Sequence, residues 1–211
     1  MGEFLQFLSY RLGDIGELTI EHLQIIAVSI SFAVMIGVPT GIIITRKRKI
    51  ANLILGFANV FQTLPSLALF GLIIPILGIG YKPSVFVLFL YALLPIIKNT
   101  YLGITGVDPA VIDAGKGMGM TSYQILRMVE IPLSLPVIMG GIRISTVINI
   151  GTATLAALIG AGGLGDMIFK GISLNNSSMI LAGAIPTALL ALSVDALLGR
   201  VEKRLVPKGL R

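Results

Sequence analysis

Arg143 and Asp195 stand in stretches that are otherwise apolar, and a charge in such a place is stable only with a partner or a route to water. A guanidinium and a carboxylate satisfy each other, so the two form a candidate ion pair within the apolar stretches. Two sets of neutral polar residues have helical spacing. Asn59, Gln62 and Ser66 share one helix face, and Ser145, Asn149 and Thr152 share another, each at i, i+3 or i+4, i+7. Such stripes either line a path for a polar solute or bond one helix to the next. Covalent chemistry has little to work with. There is no cysteine and a single histidine, His22, which excludes disulfides, thiolate metal sites and a cysteine nucleophile and leaves no histidine cluster for a metal. No G-x-x-x-x-G-K-[ST] occurs, and "GKGMGMT" has the wrong order for a phosphate cradle.

The elements that must position these residues follow from composition. Of 211 residues, 55% are hydrophobic and 12% charged, about half the charged fraction of a soluble domain. The mean hydropathy is +0.95, so this is an all-α integral membrane protein. Its length suits one domain over 1–211, with a core over about 20–199. The apolar residues fall in several long runs and not in one short run behind a basic start, so no cleavable leader is expected. A span needs about 20 apolar residues, which places five transmembrane helices, or six at most, with the five at Leu23 to Ile44, Leu53 to Leu77, Lys82 to Ile97, Pro136 to Ile159 and Met179 to Leu198.

Charge gives the orientation. Twelve of the sixteen basic residues fall in Arg46 to Lys49, in the loop over about 99–135 with Lys98 at its edge, and in the tail from Arg200 through Lys208 and Arg211. Basic residues collect on the cytoplasmic side, so the N-terminus is expected outside and the C-terminus in the cytoplasm. Because the charges alternate with topology instead of covering one face, the net charge of +6 does not indicate nucleic-acid binding.

The longest loop has its own grammar. Asp108 caps a helix that starts at Pro109, Gly119 suits the left-handed stop, and Thr121 with Gln124 has capping-box spacing for a second helix that ends before Pro132. Helix, glycine turn, helix is the expectation. Asp113-Ala114-Gly115, then Gly119, Val129, Ile131 and Pro132 resembles the EAA signature of bacterial ABC-importer permeases: EAA, three residues, G, nine residues, I, one residue, L-P. Asp113, Gly115, Val129 and Ile131 depart from it, and only Gly115 does so in a way that weakens the helix.

"QTLPSLALFGLIIPILGIG", "LYALLPIIKNTYLGITGVDP" and "INIGTATLAALIGAGGLGDMIFKGI" extend the resemblance to the osmoprotectant branch, importers of glycine betaine, carnitine, choline or proline. The resemblance implies the type I permease fold of these importers, in the bacterial cell membrane. It implies that the loop is a coupling-helix pair docking on cytoplasmic ATPase subunits, which hold the ATP and Mg, with no cofactor in this chain. It further implies a second permease subunit, identical or paralogous, and an extracytoplasmic solute-binding protein. Quaternary ammonium groups favour aromatic cages, and no Trp with five scattered Tyr assigns tight recognition to that binding protein. Importers of methionine or a sulfonate are the alternative within the class. An autonomous channel or ion-coupled carrier is disfavoured by the scarcity of intramembrane carboxylates.

Overall fold

Four apolar runs form helices long enough to cross a bilayer, and a fifth run forms a bent pair that is together long and apolar enough to do so. The computed structural model describes residues 9–206. In chain order the helices are α1 (Leu12–Ile44), α2 (Arg48–Thr63), α3 (Ser66–Leu77), α4 (Tyr81–Thr105), α5 (Pro109–Gly117), α6 (Ser122–Ile159), α7 (Leu164–Ser173) and α8 (Ser177–Leu205). Lys208 and Arg211 lie outside the described residues.

Besides α6, which begins at Ser122 and not at Pro136, and α8, which runs to Leu205 and not to Leu198, three boundaries differ from the hydropathy reading. First, α1 starts at Leu12, one helical stretch earlier than Leu23, because Asp14, Glu17 and Glu21 end an apolar run without breaking a helix. Second, α4 continues to Thr105 and carries Lys98 within it, so the loop is shorter than 99–135. Third, Leu53 to Leu77 is not one straight helix: α2 and α3 meet at a bend of 100°. Pro65 causes it. Proline drives its predecessor out of the helical region, and Leu64 and Pro65 are both extended, with ψ of 134° and 132°.

The bend leaves backbone groups that lipid cannot satisfy, and α4 supplies the partners. Pro95 has no N–H, so the Tyr91 carbonyl loses its helical donor. The Gln62 amide donates to that carbonyl at 3.2 Å, and the Tyr91 hydroxyl donates back to the Leu64 carbonyl at the break.

A second proline effect shapes α6, which does not stop before Pro132 as the sequence suggests. It passes through Pro132 and Pro136 into the span, with one wider π turn at Leu126–Glu130. There the Ile131 N–H bonds to the Leu126 carbonyl, five residues back. The wide turn makes room for a proline ring that would crowd the carbonyl of Met128 in a tight α-helix.

α1, α4 and α6 form the packed centre. Gly41 of α1 faces Thr100 of α4 so closely that a Cβ would come within 2.5 Å of the Thr100 Cβ, and one at Gly141 of α6 would come within 2.5 Å of the Asn99 Cβ and 3.0 Å of the Pro95 carbonyl. Farther along the same helices Ile25, Val87, Leu88 and Ile150 are buried together with Phe70 of α3. The buried His22 of α1 donates from Nε2 to the Ile150 carbonyl of α6 at 3.0 Å.

Beyond α6 the chain turns back through Gly160, Gly162 and Gly163, with φ near +77° at each, into α7. The Gly163 N–H, at the start of α7, donates to the Glu21 carboxylate at 2.9 Å. The two ends of the bundle are distinguishable: the α3–α4 connection meets the far end of α6 through Gly80 N–H to Ile159 carbonyl at 2.7 Å, whereas α5 lies at the opposite end.

Gly140 and Gly141 allow a paired test. A Cβ at Gly140 meets nothing within 4 Å, so Gly140→Ala should leave the detergent-solubilised subunit's thermal midpoint unchanged or raised, since alanine is the better helix former. Gly141→Ala should push α4 from α6 and cost about 1–3 kcal/mol. Equal midpoints for the two variants would contradict this packing.

Candidate functional site

The segment between α4 and the span of α6 has the local chemistry that its sequence dictates. The Asp108 carboxylate accepts the Ala110 N–H at 2.9 Å, and Pro109 is the first residue of α5. Gly119 has φ +80°, a left-handed turn residue with no side-chain cost. The Gln124 N–H donates to the Thr121 hydroxyl at 3.3 Å and the Thr121 N–H to the Gln124 side chain at 2.7 Å, a reciprocal capping box.

α5 then folds back onto the start of α6. Gly115 is the contact: a Cβ there would stand 3.3 Å from the Met120 sulfur and 3.5 Å from Ile125, so this one of the four departures from the signature admits a close crossing. Asp113 and Ala114 are exposed, and Asp113 pairs with Lys116 at 2.9 Å, a surface bond of little energetic weight. Val129, Ile131 and Pro132 are half-buried, since they lie in the continuous α6 and not in a free helix. Met118, Tyr123 and Met128 project outward, 77%, 67% and 66% exposed. Exposed apolar tips of this kind beside capped helix ends form a surface suited to a protein partner.

The polar stripes fare differently. Ser145 and Asn149 do not face an opening. The Ser145 hydroxyl donates to the Ala92 carbonyl at 3.0 Å and the Asn149 amide to the Leu88 carbonyl at 2.9 Å, both buried between α6 and α4. They bond helix to helix. Thr152 is half-buried and donates to its own helix at Ile148. Asn59 and Gln62 are exposed on α2, but Ser66 lies on α3 beyond the bend, so those three do not share one helix face; the proline that breaks the helix also breaks the stripe.

Arg143 and Asp195 meet across α6 and α8. Arg143 donates from Nε to Asp195 Oδ1 at 2.9 Å and from Nη2 to Oδ2 at 3.0 Å, a fork on fork. Its Nη1 donates to Glu202 at 2.7 Å. Glu202 lies seven residues after Asp195, on the same face of α8, and Gly199 between them leaves the guanidinium a bare bed, its nearest atom 3.4 Å from a Cβ built there. Above the triad runs a groove of about 500 Å³ lined by Gly140, Arg143, Ile144, Val147, Ile148 and Asp195.

Sequence reasoning missed four participants. Glu202 looks like one more charge of a solvated tail, and Tyr91 like an isolated aromatic. Arg46 and Glu130 are joined by a two-pronged ion pair, Nη1 to Oε1 at 3.2 Å and Nη2 to Oε2, across a separation of 84 residues that no local pattern reveals.

Taken together, a glycine-packed helical core with a capped helix, glycine turn and second helix at one end is the architecture of a membrane permease subunit. The chain belongs to the family described as "binding-protein-dependent transport system inner membrane component", whose model matches residues 37–207. It is 45% identical over 211 residues to the glycine betaine/carnitine/choline transport system permease protein OpuCB of Bacillus subtilis, covering 100% of this chain and 97% of that one. It is 51% identical over 193 residues to the carnitine transport permease protein OpuCB of Listeria monocytogenes, covering 92% and 88%. To the osmoprotectant import permease protein OsmW of Salmonella typhimurium it is 47% identical over 204 residues, covering 94% and 95%. Among solved structures, the inward-facing MetNI methionine ABC transporter superposes with a TM-score of 0.82 at 23% identity, covering 92% of this chain and 96% of that one. The fold is the type I permease fold of ABC importers.

The triad yields a double-mutant test. Arg143→Met leaves Asp195 and Glu202 facing each other, and should lower the thermal midpoint more than Asp195→Asn, after which Glu202 still holds the guanidinium. The double variant should recover part of the Arg143→Met loss. Strict additivity of the two midpoint changes would show that the pair does not interact.

Proposed function

We propose that this chain is the permease subunit of an ATP-driven importer for a quaternary-ammonium osmoprotectant such as glycine betaine, carnitine or choline. The observation that carries the reading is the docking pair α5 and the start of α6, with its caps, its left-handed Gly119 and its exposed Met118, Tyr123 and Met128. The solute class is supported by relatives 45% to 51% identical over most of their length, whose names carry it. The likeness to a methionine transporter, at 23% identity, supports the fold and not the solute.

In this reading two permease subunits, identical or paralogous, form the pathway in the lipid membrane. Cytoplasmic ATPase subunits bind at the docking pairs and supply ATP and Mg, since this chain has no phosphate cradle. An extracytoplasmic solute-binding protein delivers the solute. The N-terminus faces outside and the tail the cytoplasm, in keeping with the basic residues around the docking end. Ser145 and Asn149, engaged between helices, set the wall's spacing; Asn59, Gln62, Ser66 and Thr152 remain the residues available to line a path.

The chain does mechanical work and no covalent chemistry. Closure of the ATPases moves the docking pair, and the continuous α6 carries that movement into the span. Gly119→Val puts a β-branched residue at φ +80° and should strain the turn by about 1–3 kcal/mol. The variant should reach the membrane in normal amount yet lose nearly all uptake of the solute by cells or by liposomes bearing the complete importer. Uptake at the wild-type rate would refute docking through this turn.

A further inference from the structure

We infer that the Arg46–Glu130 ion pair is a positioning device that makes the docking segment move as one body with the α1, α4 and α6 core, an inference that rests on the docking reading above. The argument starts from Glu130. It is 3% exposed, and a carboxylate that deeply placed is destabilising unless it is paired and hydrogen-bonded. Arg46 meets both of its oxygens. The other carboxylates of the docking segment are engaged elsewhere, Asp108 as a helix cap and Asp113 with Lys116.

The position matters more than the bond itself. Glu130 ends the π turn Leu126–Glu130, at the joint between the docking half of α6 and its membrane half. A helix bends most easily where its hydrogen-bond ladder is irregular. A push on Ser122–Ile125 would therefore be absorbed at this turn unless the turn is tied to something rigid.

Arg46 provides the tie. It lies two residues beyond α1, in a turn held by Thr45, Arg46 and Lys47 N–H bonds to the Ile42, Ile43 and Ile44 carbonyls. The last turn of α1 is itself fixed, with Ile44 buried against Ala51 and Ile97 and Gly41 pressed on Thr100. Through one fork of hydrogen bonds the docking segment is thus joined to α1 as well as to its own span, and the π turn cannot flex alone. A lysine could keep the charge at position 46 but not the two-pronged geometry.

The test measures coupling, which a purely structural role would not move. The importer is assembled from this permease with its ATPase and solute-binding subunits and reconstituted in liposomes, using whichever of glycine betaine, carnitine or choline the wild type takes up. Retention of the ATPase on the purified permease is scored first, and then solute imported per ATP hydrolysed. Glu130→Gln should retain the ATPase and its hydrolysis while the transport ratio falls about tenfold, the size of a typical coupling between two sites. A wild-type ratio in Glu130→Gln with ATPase retained overturns the inference and leaves the docking reading standing. Failure of the wild-type permease to retain the ATPase overturns both. Should Glu130→Gln not accumulate, Arg46→Lys decides: a lowered ratio supports the device, and a wild-type ratio overturns it.

Discussion

The architecture depends on how closely three backbones can approach. Between helices in lipid there is no hydrophobic drive, because lipid tails are as apolar as leucine, so association rests on dispersion contacts and interhelical hydrogen bonds at short range. Gly37 and Gly41 on α1 meet Ile96 and Thr100 on α4, and Gly103 on α4 meets Ser134 and Val137 on α6, at separations where a Cβ would stand 3.1 Å or less from its nearest neighbour. Only at that spacing do the polar bonds form. Ser145 and Asn149 are short side chains, and they reach the Ala92 and Leu88 carbonyls because α4 and α6 nearly touch.

Proline sets the other constraint. Each proline in a membrane helix frees a carbonyl, and in lipid that group must find a donor within the protein. Pro95 frees Tyr91, which Gln62 answers, and Pro65 opens the chain at Leu64, which the Tyr91 hydroxyl answers. One tyrosine thus accepts at its backbone and donates at its ring, and the bent α2–α3 pair is fastened to α4 by side chains instead of by close backbone packing. The core and the bent pair are held by different means.

What the sequence makes legible divides along the same line. Asp108-Pro109, Gly119 and Thr121-x-x-Gln124 act within three residues of themselves, so the helix, turn and second helix can be read from the chain alone. The meeting of Arg143 with Asp195 follows from similar depth, which residue counting provides. Hydropathy averages over a window and so hides the bend at Pro65 and the extension of α1 to Leu12. A proline also signals an end, whereas α6 absorbs Pro132 in a π turn; whether a helix stops or widens there depends on packing against α1 and α5, which no local rule contains. Ser145 and Asn149 have the spacing of a stripe in either role, and only the distance to α4 decides between lining and bonding. Arg46 and Glu130 have no local signal, since each looks like a loop charge until the fold buries one of them.

Two ion-pair systems then stand at different levels of the same helix. Glu130 ties α6 to α1 beside the docking segment, and Arg143, thirteen residues on and about 20 Å along the axis, ties α6 to α8. Their burial differs, and so does what each can do. Glu130 is enclosed, with a side chain 4% exposed, whereas that of Arg46 is 51% exposed, so separating them leaves the carboxylate and not the guanidinium without water, and the cost of opening falls on Glu130. The triad members are 22% to 39% exposed, Arg143 has two carboxylates to choose from, and Gly199 leaves its guanidinium unobstructed. Loss of one carboxylate therefore leaves the guanidinium a second partner. α6 is thereby held on its α1 side through one enclosed carboxylate and on its α8 side through a guanidinium shared between two, so loss of a single acidic partner strips the first contact and only thins the second.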